Sequence, residues 1–347
     1  MNIDHPKAHR VEGLWFDDGN VEIHVQSARY RVYAGILSRE SGVLHGIFAP
    51  PSLAQGARHE GGHVVLEDVL EVESFPPYPA PTKFIDIYAC LRLATKFQVK
   101  ELRKRALIHL SAPFRTSLRQ HETRVSCFRE EDRDLVWSES PRFSRIVNWE
   151  WSGPPKKLIC IAALAREAEA LWILPVVFYH LTQLALELGA DLYSPSVECD
   201  GIAAGLSAAD ARNISWATWK LVDAATTISD TLRDGVPAER CATPDYCLIR
   251  RTEMAGTLLA RKEFIQSFSD PLGRWYPHNW DSWCFDNDVC APCRRVITEK
   301  TEKIKAECWD RLPEIYNLPA WEDLELMKRA EIGDCFARRF DENIQVE

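Results

Sequence analysis

The residues of this chain best placed to do chemistry are its late cysteines. Cys290-Ala291-Pro292-Cys293 is a CxxC knuckle directly ahead of a helical pattern, and Cys241 and Cys247 lie upstream around Pro244-Asp245. Four thiolates supplied by two loops can surround a tetrahedral zinc ion, whose charge stabilises theirs. The spacing of the first pair, C-x5-C, is wider than the usual two to four residues. A helix expected over 252–268 fills much of the 42-residue interval between the pairs. The same thiols also fit two other roles: free buried side chains, or a redox pair in the CxxC. Cys284 stands in a second C-x5-C arrangement with Cys290 and is an alternative ligand. Cys308 falls on the apolar stripe Ile297, Thr301, Ile304, Cys308, Leu312, and Cys90 and Cys160 sit in apolar helical patterns, so these three read as core. A zinc ion held by four protein ligands has no open position, so the site expected here is structural and not catalytic.

A second arrangement, His59-Glu60-Gly61-Gly62-His63, matches the H-E-x-x-H pattern of zinc hydrolases. That chemistry needs both imidazoles on one face of a helix. Two adjacent glycines cost about 2 kcal/mol of helix propensity relative to alanine, and an apolar strand pattern follows at once. The segment therefore reads as a surface loop over 56–62, with a zinc hydrolase using His59, Glu60 and His63 as the alternative enzyme reading. Phosphate-binding G-x-x-x-x-G-K-[ST], dinucleotide-binding G-x-G-x-x-G and nucleophile-elbow G-x-S-x-G patterns are absent from the sequence. Trp275, Tyr276, Trp280 and Trp283 cluster before the CxxC. They read as core of a small metal-stapled lobe, with partner anchoring or stacking on bases as the alternatives.

These residues need elements to position them. In 347 residues with 46% apolar and 27% charged side chains, there is room for two or three domains with their own cores. Formal net charge is −9, which argues against nucleic acid as the main partner. The basic clusters Lys100, Arg103, Lys104, Arg105 and Arg294, Arg295 read as solvated helix faces. The N-terminal stretch lacks the apolar core of a secretory signal, and the apolar run from Leu158 to Leu188 is interrupted by Arg166, Glu167, Glu169 and His180. No membrane span is expected. Eleven cysteines without a signal segment point to reduced thiols or a metal site, and to the cytoplasm, the nucleus or both.

Between Trp15 and Phe48, Val21, Ile23 and Val25 alternate as one strand and Tyr30 and Val32 as a second, with Gln26-Ser27-Ala28 as the turn. Ile36, Leu37, Val43, Leu44, Ile47 and Phe48 then take helical spacing around Ser41-Gly42. A third strand is expected from His63 to Glu67, a buried helix from Phe84 to Phe97 and an amphipathic helix from Glu101 to Leu110. Pro76, Pro77, Pro79 and Pro81 keep most of the intervening stretch out of helix. Farther on, Leu158 to Leu171 is helical, and Pro175 opens a second helix that Gly189 caps. Ser207 to Asp210 resembles a capping box for a helix running to about Leu232. Ile297–Leu312 and Trp321–Ile332 complete an all-helical second half.

The order of elements from Trp15 to Phe48, with the segment from Phe84 to Leu110, resembles the BTB (POZ) domains of fungal proteins. Longer members of that group also carry a late cysteine pair, a helix and a W-x-x-L-P segment, which here is Trp309 to Pro313. The resemblance implies an α+β N-terminal BTB-like domain over 12–115. An irregular linker over 116–155 and a mainly α-helical domain over 156–335 carrying the cysteine cluster follow it. It further implies a non-enzymatic interaction protein with protein partners, forming homodimers or a scaffold, as an adaptor for a cullin-type ubiquitin ligase or as a transcription-associated regulator. The implied dimer surface comprises Trp15, Val21, Ile36, Leu37 and Leu44. Asn20, Tyr33 and Ala34 stand where many members carry the residues of a charged pocket, which argues against co-repressor binding. Between Val69 and Thr82 a helix and a short strand of the family are missing, which bears on cullin binding.

Overall fold

The computed structural model describes residues 9–25, 28–48, 57–60, 63–66, 75–125, 149–151, 153–233, 235, 237–260, 271–272 and 284–335. Two units emerge: Met1–Pro113 with Ser144–Trp151 and Arg329–Glu347, and Phe114–Phe143 with Ser152–Lys328. The coarse class is mixed α and β, as expected, with helix dominating.

The first unit is built on a five-stranded sheet in the order β1-β3-β2-β5-β4. Its strands are β1 (His9–Trp15), β2 (Val21–Val25), β3 (Ala28–Val32), β4 (Ala57–Glu60) and β5 (His63–Leu66). β2 and β3 form the expected hairpin, with Ile23 opposite Tyr30; residues 26–27 of the expected turn lie outside the described residues. β5 returns parallel to β2, and β1 lies parallel to β3 at the other edge. Two short helices follow the hairpin, α1 (Ala34–Glu40) and α2 (Gly42–Phe48). Both are fixed by side chains. Asn20 Oδ1 accepts the Ala34 amide at 2.8 Å, satisfying an orphan donor of α1. Ser41 Oγ accepts the Leu44 amide at 3.0 Å as the N-cap of α2, and donates to the Phe97 carbonyl. Ile23, Val25, Leu44, Ile47, Val64 and Phe97 close one core over the sheet.

The helix pair α3 (Phe84–Lys96) and α4 (Lys100–Ser111) matches the expected buried and amphipathic helices. Cys90 is buried in α3, as expected. The segment 75–83 is non-helical, in keeping with its prolines. Trp149 belongs to this unit as well. It is 2% exposed, stacks on Phe84 with centroids 5.5 Å apart, and donates Nε1–H to the His109 carbonyl at 2.7 Å. The range 116–155 is therefore not irregular throughout: it contains this core residue and the helix α5 (Leu118–Val125).

The second unit centres on α6 (Pro155–Glu167) and α7 (Leu174–Gln183), both buried around most of their circumference. Pro155 and Pro175 sit in the first turns, where a missing N–H costs nothing. The single helix expected from Pro175 to Gly189 breaks at Leu184; the short α8 (Ala185–Leu188) follows, and Gly189 after it takes φ +49° with ψ −119°, a positive-φ conformation open to glycine but not that of an αL cap. No single helix among the described residues is long and apolar enough to cross a membrane; one bent pair, Leu171–Gln183 with Ala185–Tyr193, passes by length and composition together.

An all-helical second half is corrected by a small hairpin, β6 (Val197–Cys199) and β7 (Ile202–Ala204). Asp200 and Gly201 form its turn with φ +54° and +76°, the Asp-Gly signature of tight hairpins. α9 (Ala208–Arg233) starts where the Ser207 cap predicts, with Ser207 Oγ accepting the Asp210 amide at 3.0 Å. Asp210 itself does not complete a capping box. Its carboxylate accepts two hydrogen bonds from Arg166, Nε at 3.1 Å and Nη2 at 2.6 Å, joining α6 to α9. The Asp210 side chain is 4% exposed and that of Arg166 37%. Removing the guanidinium strands a buried carboxylate that only the helix N-terminus still stabilises. Arg166→Met is expected to cost about 2–3 kcal/mol in chemical denaturation, discounted from the fully buried case for the exposure of Arg166. Adding Asp210→Leu restores most of that loss.

Three helices complete the lobe that carries the cysteines: α9, α10 (Pro244–Ala260) and α11 (Ala291–Asp310). The short α12 (Leu312–Ile315) and α13 (Trp321–Ile332) follow, α13 with the boundaries expected. Arg251 of α10, 2% exposed, donates Nη2–H to the Thr231 carbonyl in the last turn of α9 at 2.7 Å. A Cβ at Gly235 would meet that Nη2 at 2.0 Å and the Thr231 carbonyl at 2.5 Å, so the close approach requires glycine.

Candidate metal centre

Cys290 is the N-cap of α11, and Cys293 lies in its first turn beside Pro292. α10 begins at Pro244 and not at residue 252, so Cys247 falls in a first helical turn too, its amide bonded to the Thr243 carbonyl at 2.9 Å. Thr243-Pro244-Asp245 carries that start: a threonine at the cap, proline at the first helical position, an acid in the first turn. Residues 261–268 of the expected helix lie outside the described residues. Cys241 is held in a turn by its amide on the Ala238 carbonyl at 2.9 Å.

These elements bring all four expected ligands together. The sulfur atoms of Cys241, Cys247, Cys290 and Cys293 lie within 4.8 Å of one another. Cys241 and Cys290 are 3.5 Å apart, as free thiols. Four sulfurs at about 2.3 Å from a central zinc stand about 3.8 Å apart in a tetrahedron, so the cluster has the size one ion requires. Three ligands, Cys247, Cys290 and Cys293, sit at helix N-termini, where the backbone dipoles favour a thiolate. Cys247 and Cys293 are buried and Cys241 and Cys290 half-buried. Ala225, Ile228, Leu232, Met254, Val289 and Ile297 pack behind them as a dry wall. Cys284 belongs to that wall at 0% exposure and is not one of the four. Cys160 and Cys308 are buried as expected.

The protonation of the set points the same way. Two thiolates about 4 Å apart repel by about 4 kcal/mol at an effective dielectric constant near 20. Six such pairs cannot all ionise without a cation. Burial pushes the Cys290 thiol up to about 12, and burial likewise raises Cys293. Burial also raises Cys247, but hydrogen bonds from the Cys290 amide, Thr243, Cys290 and Cys241 outweigh it and bring this thiol down to about 7. A divalent ion must therefore displace protons from Cys290 and Cys293 at neutral pH. Cys290 and Cys293 are protonated in the metal-free protein throughout the neutral range, so affinity is expected to fall as pH falls across it, and to fall more steeply below about 7, where Cys247 is protonated too. Proton release on zinc addition to weakly buffered protein, read with an indicator dye, measures it directly.

His59, Glu60 and His63 lie on strands and not on a helix. Their backbone is the β4–β5 hairpin, with Glu60 paired to His63 and His59 to Val64. The expected loop over 56–62 is replaced by strand at 57–60, and the helix that a zinc hydrolase needs is not there. No thioredoxin-like βαβ unit surrounds the CxxC among the described residues; its neighbours are α9, α10 and α11.

The residues expected at a dimer surface divide. Leu44 is 7% exposed and Leu37 and Val21 pack against the core, whereas Ile36 is 54% exposed. Trp15 is half-buried beneath the Arg10 guanidinium, 4.3 Å from its ring centroid. Trp275, Tyr276, Trp280 and Trp283 lie outside the described residues.

No family model, no curated protein and no solved structure matches this chain.

Proposed function

We propose that this chain is a non-enzymatic protein-interaction protein. In this reading its N-terminal unit is a BTB-type recognition module, and its helical unit is stapled by one structural zinc on Cys241, Cys247, Cys290 and Cys293. The observation that carries the proposal is the closure of the four sulfurs on one another within 4.8 Å. Four thiolates fill a tetrahedron, leave no position for water or substrate, and make the ion a staple. The BTB-type reading is supported by the order hairpin, helix pair, parallel strand, helix pair in the N-terminal unit. It implies protein partners engaged through the exposed Ile36 and its neighbours on α1, and residence in the cytoplasm or nucleus. A cullin-type ligase scaffold is the partner class expected if the chain is an adaptor.

The test is capture of partners by the full-length chain from its native cell, beside an Ile36→Asp variant. A partner lost on Ile36→Asp while zinc content stays at one per chain supports the reading. Zinc-free, fully folded protein sinks the staple, and identical partner sets sink the role of α1.

A further inference from the structure

One stripe of α9 serves neither the core nor the cysteine cluster. Trp216 is 66% exposed and Trp219 74% exposed, and Arg212, Lys220 and Asp223 on the same helix are exposed too. At about 100° per residue, positions 212, 216, 219, 220 and 223 fall within an arc of about 100°. Opposite this arc Ile214, Ala217, Leu221, Ala225 and Ile228 are buried. Two large indoles standing in water on a helix whose other face is packed form an apolar patch that calls for a partner. Among the described residues, neither Arg212 nor Asp223 has an ion-pair partner, although α9 has partners for Asp210 and Asp230.

We propose that this stripe is a self-association face and that its occupant is a second copy of the chain, with the two α9 helices antiparallel about a two-fold axis. The charge order identifies the occupant. An axis passing midway between positions 217 and 218 sets Trp216 opposite Trp219 of the second copy, and Trp219 opposite its Trp216. The same axis sets Arg212 opposite Asp223 of the second copy, and the reciprocal pair follows by symmetry. Arg212 and Asp223 are eleven positions apart, about 16 Å along the helix, so the two ion pairs bracket the four indoles at either end. In this antiparallel register unlike charges and indoles meet together: a parallel arrangement sets like charges opposite each other, and the antiparallel register that pairs Lys220 with Asp223 takes both tryptophans off the opposing indoles. Lys220 falls at the edge of the arc and stays in solvent.

Size sets the strength. A tryptophan buries up to about 250 Å², so four indoles exposed by about two thirds offer roughly 700 Å². The flanking charged side chains bring the total to the lower end of specific interfaces, which gives a reversible dimer with a micromolar dissociation constant. The inference uses only α9 and does not rest on the N-terminal reading.

Sedimentation equilibrium of the full-length, zinc-loaded chain, from about 1 to 300 µM, tests it. Wild type is expected to dimerise in that range. Trp216→Ser with Trp219→Ser weakens dimerisation at least 100-fold, with an unchanged circular dichroism spectrum because both indoles are exposed. Arg212→Asp and Asp223→Arg each weaken it about tenfold, and the double exchange recovers wild-type affinity because both pairs are reversed together. Ile36→Asp leaves the constant unchanged. A wild type that stays monomeric throughout overturns the proposal. So does self-association that survives loss of both tryptophans, which locates the interface elsewhere. A double exchange no better than the single variants overturns the antiparallel register.

Discussion

Cys290→Ser combined with Cys293→Ser is expected to lower bound zinc from one ion per chain to none and to melt the lobe formed by α9, α10 and α11. Two of four sulfurs are removed, and a hydroxyl is a poor replacement for a thiolate on a soft, tetrahedral ion. The consequence exceeds that of an ordinary core substitution. Apparent binding free energies of structural zinc are about 10–16 kcal/mol at neutral pH, and that energy is folding energy where the site forms only in the folded chain. A domain is stable by about 5–15 kcal/mol in total, so the staple and the lobe are lost together. Among the described residues, the buried cluster at the sulfurs has eight members besides Cys247 and Cys293, and one of them is Cys284. Amide hydrogen exchange should show protection collapsing in 244–256 and 291–304 while α6 and α7 stay protected. A chelator added to wild type should give the same pattern, reversed by zinc. His59→Ala with His63→Ala, on the β4–β5 hairpin, should leave zinc content unchanged. Loss of zinc in that variant, with retention in the cysteine variant, would refute the assignment.

Trp149→Ala is expected to destabilise the N-terminal unit by about 3–5 kcal/mol. The ring is 2% exposed, stacked on Phe84, and bound through Nε1–H to the His109 carbonyl at 2.7 Å. Alanine leaves a cavity the size of an indole between α3 and α4, which two packed helices cannot close. Trp149→Phe keeps most of the apolar contact and forfeits the hydrogen bond, at about 1 kcal/mol, because the same carbonyl also accepts the Ala112 amide at 3.2 Å. Urea denaturation, with exchange protection in α3 and α4 as the local readout, separates the two variants. Equal losses for alanine and phenylalanine would show that the hydrogen bond and not the ring holds the segment.

What could be read from the chain without coordinates follows one rule. Elements that bury a periodic apolar face were legible: the β2–β3 hairpin, α3, α4, α6, α7, α9 and α13 lie where alternation or helical spacing puts them. The elements missed are those without such a face. β1 has a burial pattern exposed at four of seven positions, and β4, Ala57–Glu60, carries no alternation at all. Both are edge strands, held by backbone hydrogen bonds to one neighbour, and backbone groups are the same in every residue. β6–β7 and the start of α10 left local signals, Asp200-Gly201 and Thr243-Pro244-Asp245, but the segments around them are too short or too mixed for periodicity to single them out.

The cysteine site divides along the same line. Residue chemistry nominated Cys241, Cys247, Cys290 and Cys293, because thiolates in two closely spaced pairs before helical patterns suit a soft tetrahedral ion. Cys284 stood as a possible replacement for one of them, since its spacing to Cys290 repeats that of Cys241 to Cys247. Tertiary structure decided between them: the wall between α9, α10 and α11 takes the Cys284 side chain and leaves the other four facing one point. It likewise put Asp210 with Arg166 and left Trp216, Trp219, Arg212 and Asp223 on the open side of α9. Periodicity and capping belong to neighbours in the chain, whose geometry is fixed by local sterics. Bringing Cys247 to Cys290 across 42 intervening residues costs loop-closure entropy, which the packing of three helices offsets and a shared ion would offset further.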